Sequence, residues 1–243
     1  MLLNKIKKDL EKFADPKQAK NLQRFFKTGK GEYGEGDVFI GLRVPQIRKI
    51  VSKYYKEVNL KDVEKLLHSE IHEYRMAAAL FLLYKFKNIK KIVGAEHCSA
   101  QKLQKEIFDL YLKNTKYINN WDLVDVTTPG IVGEFLLDKD RKILYKLVKS
   151  KSLWERRIGV MATFTFIREN DYKDGLKISE MLLNDEHDLI HKAVGWMLRE
   201  VGNRDLKTEE KFLHKYSKKM PRTMLRYSIE KFPEKKRKAY LSV

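Results

Sequence analysis

Cysteine is nearly missing from this chain: Cys98 is the only one in 243 residues. One thiol excludes an intramolecular disulfide and a cysteine-rich zinc site, and it points to a reducing compartment. Proline and glycine are scarce as well, at 5 and 12 residues, which leaves long stretches where a helix can run unbroken. No stretch reaches the roughly 18 consecutive apolar residues of a membrane span. The opening Met1-Leu2-Leu3-Asn4 runs straight into Lys5, Lys7, Lys8 and Asp9, so the apolar core of a secretory signal is absent too. The expectation is a soluble, cytoplasmic protein without a membrane partner.

Acidic residues are outnumbered. Lys and Arg total 51 against 33 Asp and Glu, a formal charge of +18. Charge of one sign repels itself in a folded chain, and a polyanionic partner relieves that repulsion. Solubility alone is the plain alternative.

Apolar residues recur at helical rather than alternating spacing, and no strand is expected. Leu3, Ile6, Leu10 and Phe13 share one face of an N-terminal helix, and Asp15-Pro16 supplies a cap and a first-turn proline for the next. Gly29, Gly31, Gly34, Gly36 and Gly41 then mark a loop before a helix opened by Pro45. Backbone that bare suits either close approach to a ligand or a plain connector.

A weak internal repeat emerges when helical segments are laid against one another. With origins at Ser69, Thr115, Ser150, Asp185 and Ser217, offset eight reads Ala77, Leu123, Ile158, Ala193 and Leu225, apolar in every copy. Ala78 and Gly159 put small residues at offset nine, where helices can pack closely. Offsets six, seven, ten and eleven form one stripe on the second helix of each pair. The stripe carries Arg75, Trp121, Asp122, Arg156, Arg157, His191, Lys192, Asp125 and Trp196. Cations for phosphates beside aromatic faces for sugars or bases suit a nucleic-acid groove. Core packing is the plain alternative for both tryptophans.

The segments Asn120-Trp121-Asp122-Leu123-Val124-Asp125, Trp154-Glu155-Arg156-Arg157-Ile158 and Ala193-Val194-Gly195-Trp196-Met197-Leu198-Arg199-Glu200 together resemble the HEAT-like-repeat DNA alkylation repair glycosylases of the AlkD type. The similarity extends over nearly the whole chain, from Gly41–Arg48 to Met220–Tyr227. It implies a monofunctional glycosylase that hydrolyses the bond to N3- and N7-alkylated purines without a metal or redox cofactor. On this resemblance Asp125 is the catalytic carboxylate, Trp121 and Trp196 wall the lesion's deoxyribose, and Arg157 holds the adjacent phosphate, with Arg156 a one-residue ambiguity. Arg43, Arg48, Arg75, Arg156, His191 and Lys192 are the expected further DNA contacts. Repeat and resemblance together predict an all-α chain: residues 1–243 as one domain of HEAT-like antiparallel helix pairs, a right-handed superhelix with a basic concave groove. It would act as a monomer on duplex DNA, with no obligate protein partner.

The residues suit this chemistry on their own terms. Losing a cationic purine leaves an oxocarbenium-like sugar, which a nearby carboxylate favours more in the transition state than in the ground state. Trp121 lies one turn before Asp125 on the same face, and an aromatic face attracts positive charge. An open groove without an enclosed base pocket is expected, leaving the lesion's own charge to activate the leaving group. A surface ion pair with Arg157 is the plain alternative for Asp125. A non-catalytic module that binds damaged or branched DNA is the rival function, and a scaffold for acidic proteins a second. His187 and His191, like His68 and His72, stand four apart but lack a third ligand or a neighbouring general-base Glu, so no metal site is expected. Lys235, Lys236, Arg237 and Lys238 form a basic run near the end.

Overall fold

The computed structural model describes residues 2–93 and 97–242. Among them the chain is all-α, its only β feature a single bridge between Val38 and Ile71. Among the described residues no helix is long and apolar enough to cross a membrane. The chain divides into two compact units, Met1–Ile131 and Val132–Val243.

The first unit runs α1 (Leu2–Glu11), α2 (Pro16–Phe25), α3 (Val44–Tyr54), α4 (Leu60–Leu67), α5 (His72–Lys87), α6 (Ile89–Val93), α7 (His97–Lys113) and α8 (Trp121–Thr128). The helix starts are written in the sequence. Asp15 accepts from the backbone N–H of Lys17 and Gln18 ahead of α2, and Pro45 lies in the first turn of α3. Ile6 and Leu10 are fully buried, whereas Phe13 lies beyond the end of α1. α5 is the hub, packed by α3, α4, α7 and α8. It is buried on nearly every side, so it carries no amphipathic stripe. In the glycine-rich segment Gly34 and Gly41 are buried, whereas Gly29, Gly31 and Gly36 are exposed. Gly41 has φ +94°, and a Cβ there would sit 2.1 Å from the Asp15 carbonyl oxygen. Asp15 N–H in turn donates to the Ile40 carbonyl at 2.9 Å.

The second unit holds α9 (Glu134–Leu136), α10 (Lys142–Leu147), α11 (Leu153–Arg168), α12 (Lys173–Met181), α13 (Asp188–Gly202), α14 (Leu206–Tyr216), α15 (Arg222–Ser228) and α16 (Glu234–Leu241). α10, α12 and α14 each pack on the helix that follows or precedes them, while α11, α13 and α15 pack on one another in series. The repeat origins fall just ahead of α5, α8, α11, α13 and α15. Offset eight is core in every copy: Ala77, Leu123, Ile158 and Ala193 are fully buried and Leu225 nearly so. Burying a Leu or Ile side chain stabilises the fold by about 1.5–3 kcal/mol relative to exposing it. At offset nine a Cβ on Gly159 would sit 2.5 Å from Val148 Cγ1, which fixes how closely α11 lies on α10. Gly195 plays the same part between α13 and α15, where a Cβ would come within 2.5 Å of both the Met224 carbonyl and Tyr227 Cβ.

Candidate nucleic-acid interface

In the first unit the site is built on α8. Asn120 caps the helix, its side-chain oxygen accepting from Trp121 N–H at 2.9 Å. Trp121 is half-buried against the end of α2. Phe26 stacks on it at 5.3 Å with 27° between ring planes, and Phe25 meets it edge-on at 5.8 Å. One turn later Asp125 is also half-buried. Pro129 has no N–H to offer the Asp125 carbonyl four residues back, and α8 gives way there to a π-helical turn, Pro129–Gly133.

Asp122 points the other way, into a buried charge cluster. His72 Nε2 lies 2.9 Å from an Asp122 carboxylate oxygen, and His72 Nδ1 lies 3.2 Å from Asp37. Asp37 also accepts from Arg75 at 2.6 Å and from Asn120 at 3.2 Å. Burial works against a charged imidazole, but Asp122 and Asp37 outweigh it and push the His72 pKa up to about 9. Asp37 shows the complement: despite its burial, His72 and Arg75 hold it below its ordinary value. Glu73, next in sequence, accepts from the backbone N–H groups of Ile40, Gly41 and Leu42. His68 pairs instead with Asn114, at 2.7 Å.

This arrangement corrects the reading of Arg75 as a DNA contact. Its side chain is only 3% exposed, and its guanidinium donates to Asp37 and to the Ser69 and Glu70 carbonyls. The same device recurs in the second unit. Arg156 donates to the Ser150 and Lys151 carbonyls and pairs with Asp185 at 2.6 Å, and His191 Nε2 meets the Asp185 carbonyl. Offset six therefore carries a brace that ties α5, α11 and α13 to the turn leading into each, while α8 has Trp121 at that place and α15 has Thr223. Arg157 is buried as well and donates to the Leu189 carbonyl. Lys192 pairs with Asp188 at 2.8 Å on a part-exposed face of α13. Trp196, half-buried, donates from its indole N–H to Glu200 at 3.1 Å, and its ring centre lies 5.8 Å from that of Phe164.

Arg43 is exposed in the cap of α3 and Arg48 half-buried further along that helix. Arg43, but not Arg48, joins Trp121 around one cavity of the first unit. Among the described residues no group of three or more His, Cys, Asp or Glu is placed to hold a metal ion. His187 caps α13 by accepting from Leu189 N–H.

Three features were not foreseen. Phe25, 62% exposed, and buried Phe26 at the end of α2 form an aromatic pair beside Trp121. A largely apolar cavity of ≈ 320 Å³ lies beside Trp121. In the second unit Lys192, Thr223, Arg226, Tyr227 and Arg237 gather around a cleft of ≈ 430 Å³. Three cations against the one carboxylate of Glu230, with Thr223 as a hydroxyl donor, leave a net positive surface suited to phosphate oxygens. Arg237, from the basic run near the end of the sequence, and Leu241 line it from α16.

The fold and these two surfaces define an all-α protein of stacked helix pairs, with an aromatic and acidic site in one unit and a cationic cleft in the other. The chain belongs to the DNA alkylation repair enzyme family, whose sequence model matches residues 6–232. It is similar in fold to a protein described as a predicted DNA alkylation repair enzyme from Enterococcus faecalis, with a TM-score of 0.68 over 91% of this chain and 97% of that one, at 14% identity. No curated protein matches the sequence.

Proposed function

We propose that this repair enzyme is a monofunctional DNA glycosylase of the AlkD type that hydrolyses the bond between deoxyribose and cationic N3- or N7-alkylated purines in duplex DNA. The observation that carries the reading is the pairing of Trp121 and Asp125, one turn apart and both half-buried on α8, in a chain matched to the family over residues 6–232. As the glycosidic bond breaks, positive charge builds on the sugar, and the Asp125 carboxylate stabilises it electrostatically. Trp121 offers that cation an aromatic face. The departing purine needs no protonation, because it already carries the positive charge and leaves neutral. Uracil and hypoxanthine lack that charge and would stay in place.

DNA would be held by exposed and part-exposed cations rather than by the buried braces. Lys192, Arg226 and Arg237 suit phosphates in the second unit, with Arg43 in the first. Arg157, only 5% exposed and donating to the Leu189 carbonyl, stands with the buried braces and not among the phosphate contacts. Incubation with methylated duplex DNA and chromatographic detection of free methylpurine tests the reading. Release that vanishes with Asp125→Asn is the expected result. Tight binding without release would instead make the chain a damage-recognition module.

A further inference from the structure

His72, in the first turn of α5, stands between two carboxylates: its Nε2 lies 2.9 Å from an Asp122 oxygen and its Nδ1 lies 3.2 Å from Asp37. An ionised carboxylate only accepts hydrogen bonds, and a neutral imidazole carries a single N–H, so both contacts are satisfied together only by the imidazolium. Arg75, one turn further along α5, donates to the other oxygen of Asp37 at 2.6 Å. The Glu73 carboxylate is taken up by the backbone N–H groups of Ile40, Gly41 and Leu42. The charged groups facing the ring are therefore Asp37 from the glycine-rich segment, Asp122 from α8 and Arg75 from α5 itself. Its faces meet aromatic rings. Phe39 stacks on it at 4.5 Å and 24°, and Phe26, at the end of α2, lies 5.1 Å away.

Three ties run from this ring to the start of α8. Asp122 sits in the first turn of that helix, directly after Trp121 and three residues before Asp125. Phe26, packed on the His72 ring, stacks on Trp121 at 5.3 Å. Asp37 accepts from Asn120, which in turn caps α8 by accepting from Trp121 N–H. We propose that His72 is a positioning residue for base release: held as a cation between Asp37 and Asp122, it fixes the start of α8 and with it the Trp121 ring and the Asp125 carboxylate. The inference rests on the glycosylase reading for its reaction, and it concerns a side chain only 3% exposed, out of reach of DNA. Burial disfavours the charged ring, but Asp122 and Asp37 push its pKa up to about 9. When the ring gives up its proton there, one aspartate meets a nitrogen lone pair in place of a donor, and the start of α8 loosens.

The test uses the full chain labelled with 5-fluorotryptophan, whose fluorine NMR spectrum carries one signal for each of Trp121, Trp154 and Trp196. Trp121→Phe assigns the first. As the pH rises from neutral through about 9, at a temperature well below melting, the Trp121 signal is expected to shift while the other two stay in place. Over the same range single-turnover release of methylpurine at saturating enzyme should fall roughly ten-fold, within the 10²-fold that a 1 Å misplacement can cost. His72→Gln should release at the slow rate throughout and show no Trp121 midpoint. Asp122→Asn covers the case in which that variant fails to fold. Its amide can donate to a neutral ring, so the alkaline change should vanish from both readouts. A Trp121 signal unmoved by pH in the parent chain, or an alkaline change that survives Asp122→Asn, would overturn the proposal. Release that is indifferent to pH sinks the clamp alone. A Trp121 shift governed by His72 without any release from methylated DNA sinks the glycosylase reading and leaves the clamp on α8 standing.

Discussion

The entrance to α8 differs from those of α5, α11 and α13. In these three the residue six places after the repeat origin, Arg75, Arg156 or His191, bonds back to carbonyls at the start of its own repeat. In α8 that place belongs to Trp121, and the entrance is tied by Asn120 and the preceding 3-10 turn Thr115–Tyr117. A position given over to bracing in α5, α11 and α13 is thus released on α8 for an aromatic ring packed on Phe26, and on α15 for Thr223, which lines the cationic cleft. The proposed catalytic carboxylate lies on the same helix. A repeat shows what its frame requires, and the copies that depart from it show where the frame has been given to something else.

The largest effect that sharpens this contrast is expected at a brace. Arg75→Ala leaves Asp37 buried without its guanidinium, and breaking one side of a buried ion pair costs roughly 3–5 kcal/mol. His72 and Asn120 remain on Asp37, so the lower end of that range is expected. Denaturant unfolding measures it. If Arg75→Ala instead keeps full stability and flattens the salt dependence of DNA binding, Arg75 is a phosphate contact after all and the brace is misread.

On α8 the expected cost is in rate rather than in stability. Asp125→Asn keeps the side-chain shape and should slow methylpurine release by roughly 10²-fold, as for loss of one electrostatic stabiliser, with unfolding little changed. Single-turnover release at saturating enzyme reads this directly. A variant as fast as the parent would leave α8 with no catalytic acid at Asp125.

The buried cluster adds a pH dependence. The His72 pKa is raised to about 9 in the folded chain, against about 6.5 for a free imidazole. The stability it contributes is therefore fully present below about pH 6.5 and is lost as the pH climbs toward about 9. The melting temperature should fall across that window, and His72→Gln should flatten the fall. An unchanged slope in the variant would show that other groups govern it.

The smallest effect belongs to the cationic cleft. If Arg226 and Arg237 each neutralise one DNA phosphate, replacing either by Ala should shallow the plot of log affinity against log salt by roughly 0.9. Fluorescence anisotropy with an undamaged duplex measures it. Slopes equal to the parent's would remove the cleft from the DNA-binding surface.

Much of the fold was legible because helices announce themselves locally. Asp15-Pro16 marks a start, and apolar offset eight marks a buried face, whatever the distant chain does. The braces were not legible in the same way. Arg75 looks like a solvated cation until Asp37, 38 residues away in sequence, is placed against it. Arg157 is hidden by a carbonyl 32 residues on. Trp121 and Asp125 stood out through the family motif, while Phe25 and Phe26 did not. An apolar pair at a helix end reads as core unless the ring it meets is known.

Gly195 links the packing of α13 to the cleft in a way that bears on how this chain can vary. The space a methyl group would need there is held by the Met224 carbonyl and Tyr227 Cβ, both on α15. Tyr227 and Arg226, its neighbour in sequence, also line the cationic cleft. Even the smallest side chain at 195 must therefore push α15 and carry the cleft's Arg226 with it. Sequence drift can exchange the charged residues of that cleft one at a time, but the ledge they stand on tolerates no drift at this one site.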